Sequence, residues 1–140
     1  MLSRFLALML LFLTQGAWAQ SPSPVTGTVI PWKPAVVNIT VVSPTGTTEY
    51  RDIPWSLDTT VLSAMQAAGM SFEAKWHNSL NDWLVVSIDD TRNEGAGGDQ
   101  FNWAYCVSGR LASVNVSAYR LGPGAAVQWF YGVWPPDCLR

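Results

Sequence analysis

Apolar and polar side chains alternate through most of this chain, and the period changes only once. Val37, Ile39 and Val41 alternate with Asn38, Thr40 and Val42, the pattern of a half-buried strand. Ser43-Pro-Thr-Gly46 then turns the chain into a second run near residues 48–53, which predicts a hairpin. From Val61 the spacing becomes helical. Val61, Leu62, Met65 and Ala68 share a face, Asp58 or Thr59 is placed to cap it, and Gly69 to end it, giving a helix of about ten residues. Met65 lies on the apolar stripe and is expected in the core. Alternation then resumes. Phe72, Ala74 and Trp76 against Glu73, Lys75 and His77 predict a short strand with one wet face. Residues 83–88 form a β-rich run in which Leu84, Val86 and Ile88 are expected to face inward. Residues 89–99, rich in Asp and Gly, read as a long flexible loop. Two aromatic strands close the chain, with Trp103, Tyr105 and Val107 on one face of the first and Val127, Trp129 and Tyr131 on one face of the second. The expected architecture is α+β: one mostly antiparallel sheet covered by one short helix.

The N-terminus has a different character. Arg4, the apolar run 5–13 and Ala17-Trp-Ala19 have the layout of a signal peptide over residues 1–19, with cleavage near Ala19. The apolar run is shorter than the roughly 20 residues a membrane-spanning helix needs, so no span is expected in the mature chain. Residues 20–34 are punctuated by proline, which opposes both helix and central strand, and read as a leader or tether before a domain at 35–140. Removing 19 of 140 residues leaves 121, enough for one core. The net charge moves only from -2 to -3, because Arg4 is the one ionisable side chain lost, and no basic surface argues for nucleic acid. A secreted or periplasmic location follows from the signal, and in that setting Cys106 and Cys138 invite one disulfide between the tail and the first aromatic strand.

Candidate chemistry is sparse. His77 is the only histidine, so no two-histidine metal site is available. Asp89, Asp90, Glu94 and Asp99 offer oxygen ligands without the spacing of an EF-hand, and a solvated loop is the reading adopted. Asn38-Ile-Thr40 and Asn115-Val-Ser117 match a glycosylation sequon, which matters only in a eukaryotic secretory route. No cofactor, no metal and no catalytic set is expected. Tryptophan is the unusual feature: seven of the eight lie beyond the signal. Such rings fill small cores and also stack on flat ligands. Trp129 is assigned to the core; Trp32, Trp55, Trp76, Trp83 and Trp134 lie near turns, prolines or strand starts and are candidates for exposure.

Five stretches in order, Asp58-Thr-Thr-Val-Leu-Ser-Ala-Met65, Trp83-Leu-Val-Val-Ser-Ile88, Asn102-Trp-Ala-Tyr-Cys-Val-Ser-Gly109, Ser117-Ala-Tyr-Arg-Leu121 and Val127-Gln-Trp-Phe-Tyr131, resemble the transcobalamin-like C-terminal domain family over roughly residues 36–132. The resemblance implies a β-grasp-like fold and an extracytoplasmic binding module rather than an enzyme. In the animal carriers this domain covers cobalamin together with a helical domain. By motif, Ser87, Ile88, Trp103 and Tyr105 correspond to the region that approaches the corrin, and Trp83 opens the same strand. The implied ligand is cobalamin or another planar molecule held at an aromatic edge, with the 89–100 loop able to close over it. The alternative is a protein-interaction or surface-display module without a small-molecule ligand.

Overall fold

The computed structural model describes residues 32–112 and 115–138. The signal peptide expected at 1–19 and the leader as far as residue 31 lie outside the described residues. Strand β1 (Val36–Ser43) and strand β2 (Gly46–Pro54) form the expected hairpin. Val37, Ile39 and Val41 are its buried side chains, as the alternation requires. A bulge sits opposite Asn38: Asp52 adopts a positive φ of 55°, and its N–H donates to Asn38 Oδ1 at 3.0 Å.

Helix α1 spans Val61–Ala67, seven residues rather than about ten. Its cap is Thr60, not Asp58 or Thr59. Thr60 Oγ1 accepts from the Ser63 N–H while Ser63 Oγ accepts from the Thr60 N–H, a capping box closed by serine. Thr59 is occupied instead by the Ser56 N–H, and Asp58 pairs with Arg120 at the surface. The next helix N–H groups are satisfied from outside the helix, Val61 donating to the Tyr119 carbonyl and Leu62 to that of Val116. Val61, Ala64 and Met65 are buried, and Gly69 ends the helix at φ 66°.

Strand β3 (Phe72–His77), β4 (Asp82–Ile88) and the two-residue β5 (Thr91–Arg92) make a separate antiparallel sheet. The expected single sheet is therefore two. The inward-facing residues of β4 also differ from expectation. A bulge between Glu73 and Ala74 sets Glu73 opposite Ser87 but Ala74 opposite Val85, so Val86 is the extra residue and the alternation slips there. Val85 and Ile88 are buried, whereas Leu84 and Val86 are only half-buried. Nor does the segment after β4 run free. Thr91 and Arg92 pair back onto Ile88 and Ser87, Glu94 accepts the Phe101 N–H at 2.8 Å, and Asn102 donates to the Gly95 carbonyl at 2.9 Å.

Strands β6 (Asn102–Val107), β7 (Arg110–Leu111) and β8 (Ala126–Gly132) complete the larger sheet, whose order is β2-β1-β8-β6-β7. β6 and β8 are antiparallel with Tyr105 opposite Trp129 and Trp103 opposite Tyr131; β8 and β1 are parallel. A parallel pair cannot be closed by a tight turn, so everything between the hairpin and β8 acts as its crossover. Trp103, Tyr105, Val107, Val127 and Trp129 are buried, and Tyr131 is half-buried. Cys106 points to the opposite face and is bonded to Cys138, the Cα atoms 5.8 Å apart, which folds the C-terminal tail against β6. Among the described residues no helix is long and apolar enough to cross a membrane.

Candidate functional site

The two sheets meet where β4 approaches β6, and Asn93 fastens them. Its side-chain amide donates to the Val85 carbonyl at 3.0 Å, and its Oδ1 accepts the Trp103 N–H at 2.7 Å. Trp103 is fixed a second time, its indole N–H donating to the Thr91 carbonyl at 2.9 Å. Tyr131 closes the same corner, donating from its hydroxyl to the Arg92 carbonyl at 2.7 Å, with its ring 5.2 Å from that of Trp103.

Beyond this clasp the strands diverge and leave a cavity of about 420 Å³. Trp83, Leu84 and Val85 of β4 form one side, Trp103 and Tyr105 of β6 the other, Trp129 of β8 backs it, and Trp134 stands at the tail. Trp103, Tyr105 and Trp129 are each more than nine-tenths buried, whereas Trp83 and Trp134 are 41% and 60% exposed. The floor is therefore rigid and the rim accessible. Tyr105 stacks at 4.9 Å on Trp129 and edge-to-face on Tyr119. Burial, reinforced by Tyr119 and Asp82, pushes the Tyr105 phenol above its ordinary range, so it stays neutral at physiological pH. Among the described residues no charged side chain lines the cavity. Among its lining residues Asn115 carries an amide and Tyr105 a hydroxyl, and the indole N–H of Trp129 is buried without an acceptor.

Of the residues expected at the site, Trp83, Trp103 and Tyr105 come together here. Ser87 and Ile88 do not: they are 5% and 1% exposed and lie further along β4, past the bulge. No family model matches the chain, and no curated protein matches it. Trp134, a candidate for exposure from the sequence alongside Trp83, is exposed and lines the same cavity, on the tail that the disulfide draws towards β6. Sequence reasoning left out Asn115 and Val116, whose segment is positioned by the Asp82 carboxylate accepting the Ser117 hydroxyl. Trp55 is structural, its indole N–H donating to the Leu121 carbonyl at 2.6 Å.

The remaining candidates stand apart from this cavity. His77 is exposed on β3 with its Nδ1 2.9 Å from Ser79 Oγ. Among the described residues no three His, Cys, Asp or Glu side chains are grouped to hold a metal.

Proposed function

We propose that residues 35–140 form an extracytoplasmic, non-catalytic binding module that takes a flat, uncharged surface into the groove between Trp83 and Trp134. The observation that carries this reading is the aromatic lining: two exposed rim tryptophans over a floor of Trp103, Tyr105 and Trp129, with no charged group among the described residues. Aromatic side chains bind planar partners through large, stiff contact area, and cavities of roughly 300–1,000 Å³ suit small organic ligands. The hairpin, helix α1 and the central parallel pair β1–β8 support a β-grasp-like reading of the fold. The transcobalamin-like motifs fall on α1, β4, β6 and β8, which supports cobalamin or a related corrinoid as the ligand to test first. A corrinoid is larger than this cavity, so only an edge of it would enter, and a single wall leaves much of the association entropy unopposed.

Titration with cobalamin and with small neutral heteroaromatics, followed by tryptophan quenching, tests the reading. Saturable quenching that is lost in Trp83→Ala and Trp134→Ala is the expected result. No response at millimolar ligand refutes it. The exposure of Trp32, Trp76 and Trp134, at 85%, 50% and 60%, favours a second reading in which a protein partner covers these rings. Trp76 packs edge-on against Trp83 at 5.9 Å, so the variant that separates the two is Trp32→Ala, outside the groove lining: loss of partner capture there favours the protein partner.

A further inference from the structure

On the other side of Leu84 and Trp103 lies a second cavity, of about 550 Å³, with a different chemical character. Its floor is apolar, made by Leu84, Val86 and Trp103, and its rim carries Lys75, His77 and Arg92. The bulge in β4 creates this floor, because the slip at Val86 turns Leu84 and Val86 away from the core. The register of β3 then places Lys75 directly opposite Leu84.

Two cations, Lys75 and Arg92, and the imidazole of His77 thus border one apolar surface in a chain whose net charge is negative. Among the described residues no carboxylate lines the cavity. The nearest acid, Glu73, bonds Arg92 at 2.7 Å and Lys75 at 3.3 Å, so one negative charge orients two positive ones and leaves an excess of one. Glu94, which accepts the Phe101 N–H, and Asp82, which accepts from Ser117 and from the Trp83 N–H, are held outside the cavity lining. The ring of His77 uses Nδ1 towards Ser79, which leaves Nε2 for a ligand. An apolar floor under a cationic rim is complementary to an organic anion whose body is flat and apolar.

We propose that this cavity binds a small aromatic oxyanion, its ring on Leu84, Val86 and Trp103 and its charged group among Lys75, His77 and Arg92. The site is separate from the aromatic groove and does not depend on what that groove holds.

The test uses 2-naphthoate, 2-naphthyl phosphate and neutral 2-naphthol on the full chain, read by methyl shifts in NMR. Val86 borders only this cavity and Val116 only the aromatic groove, so the two sites report separately. The expected result is a saturable shift at Val86 for the two anions, about tenfold tighter than for 2-naphthol, weakening towards about 0.5 M salt. The naphthoate and phosphate arms distinguish a carboxylate from a phosphate ligand. Lys75→Met and Arg92→Met each reduce the preference for the anion, while Glu73→Gln, which frees both cations, raises it. Equal affinity for anion and naphthol at Val86, or a preference that survives both cation substitutions, overturns the proposal. Shifts confined to Val116 overturn it too and leave the aromatic-groove reading intact.

Discussion

The Cys106–Cys138 bond closes a loop with a sequence separation of 32, and its removal should be costly in a way that can be calculated. Cross-linking removes loop-closure entropy from the unfolded chain, and for a loop of this length the chain-entropy relation gives roughly 3.7 kcal/mol at 25 °C. The appropriate perturbation is Cys138→Ala alone. Cys106 is 1% exposed in β6, so replacing it would add a packing defect to the loss of the cross-link, whereas a retained thiol keeps the core filled. For a domain of this size that free energy lowers the melting temperature by about 15 °C or more. Thermal denaturation by far-UV circular dichroism, with wild type under reducing conditions as the second arm, measures it. The same substitution should weaken quenching by a groove ligand, because Trp134 stands four residues before the cross-link and is held on the rim by it. A midpoint within about 3 °C of wild type would refute the entropic argument and show that the tail is held by packing alone.

Four further outcomes follow from the structure. Val85→Ala should destabilise by about 2 kcal/mol and Val86→Ala by less than about 1, since only Val85 is fully buried; urea denaturation of the pair checks it. Thr60→Ala should cost about 1 kcal/mol through loss of the capping box, whereas Asp58→Ala leaves the urea midpoint unmoved. Asn93→Ala removes the two Asn93 side-chain bonds at the sheet junction, and amide exchange at Trp103 should accelerate while exchange in β1 does not. The phenols of Tyr50, Tyr105 and Tyr131 are all raised, chiefly by burial. The folded state therefore holds these protons longer than the unfolded chain, whose tyrosines titrate near 10, and stability is retained below about pH 10 and lost above it. Tyr105→Phe should flatten that alkaline decline in unfolding measured across pH.

The elements were largely legible because each is written in its own alternation. The hairpin, the helix with Met65 inside, and the aromatic faces of β6 and β8 follow from which positions are apolar, and local periodicity reports that directly. What periodicity does not carry is which strand lies beside which. The parallel pairing of β8 with β1 joins residues almost ninety positions apart, and the separation of β3, β4 and β5 into their own sheet is equally non-local. The helix cap was misassigned because three consecutive residues, Asp58, Thr59 and Thr60, are all competent caps. The choice fell to Thr60 once Thr59 and Asp58 had found partners elsewhere.

The site was displaced for one local reason. A strict two-residue alternation through residues 83–88 puts Leu84, Val86 and Ile88 on the core side and leaves Ser87 facing out. The bulge breaks that alternation at Val86, so Val85 and Ile88 are both buried and Ser87 goes in beside them. The consequence for binding is larger than one misplaced serine. Leu84 and Val86, released from the core, become the apolar floor of the cationic cavity, while Trp83 and Val85 line the aromatic groove and Leu84 borders both. A single extra residue thus gives β4 two faces of different chemistry on either side of Trp103. Deleting Val86 would restore regular alternation and should bring the Ser87 hydroxyl out beside Leu84 in place of an apolar side chain on the floor of the cationic cavity, leaving Trp83 before the bulge in its place on the aromatic groove.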